Sequence, residues 1–347
     1  MAAPTRLQPR LALTVGVAAV VLLIAAVVVL GGRDGQPGSS PAGGAEATAS
    51  GTSRSTGAGT PVPRPSGSGG ASALPSPGAS QAPGFVMVGA GDIASCASDG
   101  DEQTAKLLDG LDGTVFTLGD NAYERGSPQE FRNCYDPTWG RQRSRTHPVP
   151  GNHEYGTPGA AGYFDYFGAA AGDPSEGWYA YDAGTWRVYV LNSNCDEVGG
   201  CEAGSAQERW LRGDLAANPR QCVLAMWHHP LFSSGEHGND PITRPLWQDL
   251  YDAGADLILN GHDHTYERFA PQTPSGRLDP ARGIIEMVVG TGGRSHYPFP
   301  IIRDNSLVRD NTTWGVLRLV LEDGGWSFAF LPVAGETFTD SGGGACH

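Results

Sequence analysis

The chain has 347 residues, with 37 Asp and Glu against 23 Lys and Arg, and a formal net charge of −14. Such an acidic balance disfavours nucleic acid as a partner, because proteins bind the phosphate backbone through positive charge. The length allows one large domain or two ordinary ones, so the distribution of residue types along the chain must separate the two possibilities.

An apolar segment opens the chain. Residues 11–30 are uncharged and dominated by Leu, Val and Ala, and a helix of this length can cross a bilayer. Because Arg6 and Arg10 precede it, residues 1–10 are predicted to be cytoplasmic and everything after residue 30 to lie outside. A cleaved signal peptide is the competing interpretation, although its apolar core is usually shorter. Contact with a membrane is predicted through this segment only.

Two regions of different composition follow. Residues 31–83 consist mainly of Gly, Ser, Pro, Ala and Thr and cannot bury enough apolar surface to fold, which predicts a disordered linker. Residues 84–347 form the predicted domain, with 18 basic and 35 acidic residues and thus a formal charge of −17. A domain this acidic repels phosphate esters, so an anionic substrate would need local positive charge such as bound metal ions.

Apolar runs and helical patterns alternate through this domain, which predicts the α/β class. Strands are predicted at 85–90, 114–118, 186–191, 222–227, 255–259, 284–289, 314–321 and 326–331. Helices are predicted at about 101–110, 127–134, 205–217 and 243–253. All six cysteines lie in this domain, where an extracytoplasmic location would allow disulfides, and Cys195 and Cys201 are the predicted pair. A metal-binding role for the cysteines is disfavoured because no Cys-x-x-Cys pair occurs.

Polar clusters follow the predicted strands directly. Because ligands of α/β sheets bind at the carboxyl ends of strands, these clusters are expected to converge on one site. Each has a structural alternative when taken alone, since Asp and Asn after a strand are often turn or cap residues and a buried His can be structural. The clusters are Asp92, Gly119-Asp120, Gly151-Asn152-His153-Glu154, His228-His229 and Gly261-His262-Asp263-His264.

The order Asp, Gly-Asp, Gly-Asn-His-Glu, His, Gly-His-x-His resembles that of the calcineurin-like metallophosphoesterases. Most of that superfamily has Asp-x-His as its first motif, whereas position 94 is Ala here, and Tyr123 can fill the vacated ligand place. This exchange resembles the purple acid phosphatase branch over about residues 85–335, as do the runs at 119–123 and 261–268. The resemblance implies two packed mixed β-sheets flanked by helices, a four-layer sandwich.

The resemblance also implies a dinuclear centre and the roles of individual residues. Fe(III) is expected at the Tyr123 site and Zn, Mn or Fe(II) at the Asn152 site, with Asp120 bridging. His153 and His237 match the histidines on the substrate side of the centre, and His153 is the candidate for protonating the leaving alkoxide. His296 could also face the site, but a surface position is expected for it. The implied ligands are Asp92, Asp120, Tyr123 and His264 for the first metal, and Asp120, Asn152, His228 and His262 for the second.

The expected function is therefore hydrolysis of small phosphate monoesters outside the cytoplasm, by attack of a metal-bound hydroxide on phosphorus. Two alternatives stay open, a phosphodiesterase of the same fold with Mn or Zn, and a non-catalytic surface module that binds phosphate or a cell-wall partner. The protein is expected to be membrane-anchored with the catalytic domain outside, or secreted if residues 11–30 are cleaved.

Overall fold

A computed structural model describes residues 84–347. The predicted cytoplasmic N-terminus, membrane span and linker, at 1–10, 11–30 and 31–83, lie outside the described residues. Across 84–347, no helix is both long and apolar enough to traverse a bilayer. The predictions about the membrane therefore stay predictions.

Strands and helices are interspersed over residues 85–252, as the α/β prediction required, whereas residues 257–345 contribute seven strands and no helix. The strands are β1 Phe85–Ala90, β2 Thr114–Thr117, β3 Thr146–His147, β4 Tyr179–Ala183, β5 Trp186–Val190, β6 Val223–Met226, β7 Leu257–Asn260, β8 Tyr266–Phe269, β9 Ile285–Val289, β10 Ser306–Asp310, β11 Gly315–Glu322, β12 Gly325–Pro332 and β13 Ser341–Ala345. The α-helices are α1 Gly100–Asp109, α2 Pro128–Glu130, α3 Ala161–Phe167, α4 Ala206–Ala217 and α5 Arg244–Asp252. A π-helix, Phe131–Tyr135, continues α2, and six short 3₁₀ segments complete the helical structure of this region.

Two mixed sheets organise these elements and confirm the sheet architecture that the resemblance implied. One has six strands in the order β13-β12-β11-β1-β2-β3, and the other has seven in the order β10-β8-β9-β7-β6-β5-β4. Neighbouring strands β1 and β2 are parallel, as are β6 and β7 in the second sheet. The polar clusters that follow these four strands therefore leave both sheets at carboxyl ends.

Strand β6 of the seven-stranded sheet is apolar on both faces, and its alternate residues face different layers. In β6, Leu224 and Met226 belong to the core shared with the six-stranded sheet. Val223 and Ala225 face the other way and join a second core with Leu211 of α4 and residues of α5. Both faces of β6 are thus buried, which explains its uninterrupted apolar sequence.

Disulfides pair all six cysteines, and the predicted Cys195–Cys201 bridge is confirmed. A second bridge, Cys96–Cys134, joins the loop after β1 to the π-helix. The third, Cys222–Cys346, spans 124 positions and attaches the end of β13 to the start of β6. Because every cysteine is oxidised, none of them is available as a metal ligand.

Candidate metal centre

The loops after β1, β2, β6 and β7 hydrogen-bond to one another. The amide of Asp92 donates to the Gly119 carbonyl at 3.0 Å, and that of Ile93 donates to the Asp120 carbonyl at 2.9 Å. In the other sheet, the amide of Gly261 donates to the His228 carbonyl at 3.1 Å. These bonds bring the first two clusters together, and likewise the His228 and His262 clusters.

Three of the predicted ligands have left-handed backbone conformations. The φ angles are 60° at Asp92, 50° at Asp120 and 73° at His262. A non-glycine residue in this region costs conformational energy and persists where the surrounding structure holds it, commonly at functional sites. The strain is therefore concentrated at the predicted ligands.

The Tyr123 hydroxyl marks the first group of converging side chains. Its oxygen lies 3.0 Å from Asp92 Oδ1, 3.0 Å from Asp120 Oδ2 and 3.1 Å from His264 Nε2. His264 Nε2 is in turn 3.4 Å from Asp92 Oδ1. All four side chains are buried. The set expected to hold the first metal thus meets at one point.

The second group centres on His228, whose side chain is fully buried. His228 Nε2 lies 3.0 Å from Asn152 Oδ1, 3.3 Å from Asp120 Oδ2 and 3.3 Å from His262 Nδ1. Asp120 Oδ2 therefore contacts members of both groups, which is the position that a bridging ligand requires.

Hydrogen bonds on the far side of two imidazoles set their orientation. His228 Nδ1 lies 2.7 Å from the Leu118 carbonyl and must donate to it, so Nε2 is the nitrogen that points into the cluster. His264 Nδ1 lies 2.8 Å from Ser295 Oγ. Gly119 permits this packing, because a Cβ there would lie 2.4 Å from His228 Nδ1. In both rings, Nδ1 is thus bonded on the far side and Nε2 points toward the other proposed ligands.

The electrostatics of the cluster suit cations. Burial raises the pKa of Asp92 well above its ordinary value, although His228 opposes the shift. Burial also lowers the pKa of His264 to about 3 and, together with His228, lowers that of His262, so both imidazoles stay neutral. Within residues 84–347, no Lys or Arg side chain hydrogen-bonds to Asp92 or Asp120. Buried carboxylates with neutral imidazoles and a phenol are the donor chemistry of a metal site.

A comparison with family models decides the family. Residues 88–266 match the model of the calcineurin-like phosphoesterases, which is more than half of the chain. The chain belongs to the calcineurin-like phosphoesterase family. Membership implies a dinuclear metal centre, and the residues that converge around Asp120 are the place for it.

Relatives of this calcineurin-like phosphoesterase confirm the resemblance to purple acid phosphatases. An uncharacterised Mycobacterium tuberculosis protein is 30% identical over 52% of this chain and 42% of its own length. Purple acid phosphatase 15 of Arabidopsis thaliana is 26% identical over 63% of this chain and 47% of its own length. Probable inactive purple acid phosphatase 1 of the same plant is 27% identical over 63% and 41%. The chain thus spans less than half the length of these relatives.

A solved structure shares the fold. The purple acid phosphatase PPD1 from yellow lupin (Lupinus luteus) seeds superposes with a TM-score of 0.60 at 19% identity. The superposition covers 75% of this calcineurin-like phosphoesterase and 53% of the lupin chain. The metallophosphoesterase architecture is therefore shown for the described residues.

The remaining histidines of this calcineurin-like phosphoesterase occupy different surroundings. His153 Nε2 is 3.7 Å from Asp120 Oδ2 and its side chain is 30% exposed, so it lies at the opening of the centre. The exposed His237 stacks on His262 at 4.2 Å between ring centroids. His229 also lies beside His262, at 4.3 Å, and was predicted only as a neighbour. His296 is half-buried and packs against Trp314, rather than lying exposed as expected.

Three residues around the Tyr123 site were not found by sequence reasoning. The Tyr297 ring stacks on His264 at 3.9 Å, and the Arg294 guanidinium lies 5.1 Å from the Tyr123 ring centroid. Ser295 holds the His264 ring, as described above. All three follow β9 in a Gly-rich stretch without a ligand motif, so only the fold of the loop shows their role.

Glu154, the last residue of Gly-Asn-His-Glu, joins two ligand loops. Its carboxylate is fully buried, and Oε2 accepts from the amides of Asp120 at 3.0 Å and Gly151 at 2.7 Å. Oε1 accepts from the amides of Asn121 at 2.9 Å and Ala122 at 3.3 Å. The carboxylate therefore positions the loops that carry Asp120 and Asn152, and it is not itself in the cluster.

Glu154→Gln should lower the free energy of unfolding by about 2 kcal/mol and weaken metal binding about 10-fold to 100-fold. Either orientation of the glutamine amide turns an NH₂ group toward two backbone donors, so two amides lose their acceptor. Denaturant unfolding and metal titration measure the two effects.

Glu208→Gln is the matched control, because Glu208 is also buried and accepts from the Gly204 amide at 2.8 Å, but on α4. Glu208→Gln should lower the free energy of unfolding but leave the metal affinity unchanged. Unchanged metal affinity in Glu154→Gln would contradict a positioning role.

Proposed function

We propose that this calcineurin-like phosphoesterase hydrolyses small phosphate monoesters outside the cytoplasm, using Fe(III) at the Tyr123 site and Zn, Mn or Fe(II) at the Asn152 site. The observation that supports this most directly is the contact of Tyr123 Oη with three other proposed ligands within 3.1 Å. A phenolate with carboxylates is a hard ligand set that suits a trivalent ion.

The proposed ligands divide as the two groups of contacts do. Asp92, Asp120, Tyr123 and His264 hold the first ion, and Asp120, Asn152, His228 and His262 hold the second. Two such cations, when bound, supply Lewis-acid activation of water and neutralise charge on the phosphoryl oxygens.

The protein's own groups complete the reaction. His153 lies beside Asp120 at the exposed edge, with Nδ1 2.6 Å from the Glu124 carbonyl, so this nitrogen donates and orients the ring. In the protonated form, Nε2–H can give a proton to the departing alkoxide. His237 lies over His262 and contributes to the substrate side of the same opening.

The proposed location rests on two features. Three disulfides are typical of proteins outside the reducing cytoplasm. The apolar segment at 11–30 would anchor the chain or be cleaved on export.

The competing functions are a phosphodiesterase with Mn or Zn and a non-catalytic module. The second is suggested by the plant relative that is described as a probable inactive purple acid phosphatase. Against a non-catalytic role, every proposed ligand position here carries a donor side chain, and the donors converge.

Metal analysis of the purified full chain, combined with hydrolysis of p-nitrophenyl phosphate and bis-p-nitrophenyl phosphate, tests the proposal. We expect two metals including iron, and kcat/KM at least about 10-fold higher for the monoester. Chelation should abolish activity, and iron with zinc should restore it. Diester preference with only Mn or Zn bound would establish the first rival. A metal-loaded but inactive protein would establish the second.

A further inference from the structure

A cleft of about 460 Å³ opens beside the second ligand group. Asn152 belongs both to the proposed ligand set and to the wall of this cleft, and His229 lines it as well. A phosphate ester bound at the centre would therefore have room for its alcohol portion in this direction. The volume is within the range of small-molecule sites, about 300 to 1,000 Å³.

The polar groups of the cleft are mainly acceptors. Asp196, Glu197 and Asp240 contribute carboxylates to its lining, which contains no Lys or Arg. The cleft is thus negatively charged, in contrast to the basic pocket that a second phosphate group would need.

Asn194 supplies a separate observation. Its side chain lines the cleft and is only 8% exposed. The amide nitrogen donates to Asn192 Oδ1 at 2.9 Å, whereas no residue in 84–347 donates to Asn194 Oδ1. This oxygen is an acceptor without a described protein partner and remains accessible from the cleft, so it favours a ligand that carries N–H or O–H donors.

The wall that carries these acceptors is braced. Cys195–Cys201 closes the loop that includes Asp196 and Glu197. At its start, the Gln207 side chain accepts from the Asn192 amide at 2.7 Å and donates to the Asn192 carbonyl at 2.8 Å. A wall held in this way is preorganised, so it loses little conformational entropy when a ligand binds.

We infer that this cleft, between Asn152 and the Cys195–Cys201 loop, is a subsite for a cationic alcohol, so that the preferred substrates are phosphate monoesters of amino alcohols. This inference rests on the proposed function. Opposite charge draws the ammonium group to Asp196 and Glu197, and its N–H donors match the free acceptor of Asn194. The same carboxylates disfavour alcohols that bear further phosphates.

Binding of non-hydrolysable phosphonates tests the inference without relying on catalysis. The metal-loaded full chain is titrated calorimetrically with 3-aminopropylphosphonate and with butylphosphonate, which has a methyl group in place of the ammonium group. We expect 3-aminopropylphosphonate to bind at least about 5-fold more tightly than butylphosphonate, which is the effect that two exposed carboxylates can have on an ammonium group. This ratio of the two Kd values should fall as the salt concentration is raised.

Asp196→Asn/Glu197→Gln should abolish this ratio and leave the Kd of butylphosphonate unchanged or lower it. The control is Asp112→Asn, which removes an exposed acidic residue from the loop before β2, at the opposite end of that strand from Asp120. The control should keep the full ratio.

Equal binding of the two phosphonates by the wild-type chain, or a ratio that survives the double substitution, would overturn the inference. Hydrolysis of p-nitrophenyl phosphate by the same preparation separates the two proposals. If the enzyme is active but shows no amine preference, the subsite is excluded and the proposed function stands. If it prefers the amine but hydrolyses no ester, the proposed function and the substrate preference are excluded, and only the binding of cationic ligands in the cleft remains.

Discussion

Asp120→Asn should lower kcat/KM for phosphate monoesters by at least about 10³-fold, which corresponds to roughly 4 kcal/mol of transition-state stabilisation. Asp120 Oδ2 lies 3.0 Å from Tyr123 Oη and 3.3 Å from His228 Nε2, so one oxygen serves both ligand groups. An amide of the same shape removes the negative charge that both cations would share.

The substitution should also reduce the metal content, since a neutral amide is a poor bridge between two cations. Folding is expected to be retained, because Asn can still accept the 2.9 Å hydrogen bond from the His153 amide. Steady-state kinetics, metal analysis and thermal unfolding give the three readouts.

Asp112→Asn is the matched control for charge, because Asp112 lies in the loop before β2, at the opposite end of that strand from Asp120. It should retain activity and metal. Full activity in Asp120→Asn would exclude a bridging role for this carboxylate, and with it the proposed ligand set.

Tyr123→Phe should abolish visible absorption by the purified protein, because Tyr123 is the one proposed ligand whose side chain would give charge-transfer absorption in that range when bound to Fe(III). The iron content should fall as well, since phenylalanine keeps the ring but provides no donor atom. Removing the hydroxyl leaves the Tyr123 ring contacts with His153, at 4.4 Å, and with Arg294 available to phenylalanine.

The same residue predicts how iron binding depends on pH. Burial, Asp120 and Asp92 all raise the pKa of Tyr123 above its ordinary value of 10, so the phenol is protonated in the metal-free centre. Iron must displace this proton, and its affinity should therefore rise with pH. In Tyr123→Phe, the affinity for iron should rise less steeply with pH, because about one proton fewer is released for each iron ion bound.

Tyr297→Phe is the control for an aromatic residue at the same place. The Tyr297 ring stacks on His264 at 3.9 Å, and its hydroxyl makes no hydrogen bond to any proposed ligand within 84–347. Its absorption and iron content should stay those of the wild type. A wild-type protein without iron, or a spectrum unchanged in Tyr123→Phe, would contradict the metal assignment.

The elements that sequence reasoning predicted are those with a strong apolar pattern. Strands such as β6 and β7 are buried on both faces, so their composition alone marks them. The missed strands lack that signal. β13 reads Ser-Gly-Gly-Gly-Ala and is a strand because it pairs with β12 and is followed by the Cys222–Cys346 bridge.

The proposed ligands could be named from the sequence because they match the motifs of the family that the chain resembles, and because each motif follows a strand. The roles of the supporting residues could not be predicted in this way, because they depend only on distances in the folded protein. In the sequence, Glu154 looks like any other acidic residue of a motif. Its role is shown only by the structure, in which its carboxylate accepts hydrogen bonds from four backbone amides. Asn194 and Glu197 carry no motif, and only the cleft between loops far apart in sequence brings them toward Asn152.

By itself, the sequence determined the α/β class, the Cys195–Cys201 bridge and the family, and it predicts that Tyr123 takes the ligand place vacated at Ala94. These depend on local patterns, in which neighbours along the chain carry the information. The tertiary structure decided which side chains meet at Asp120, how Glu154 joins the ligand loops, and which charged residues line the cleft beside Asn152. Those properties arise from contacts between residues distant in sequence, whose distances are set by how the two sheets pack.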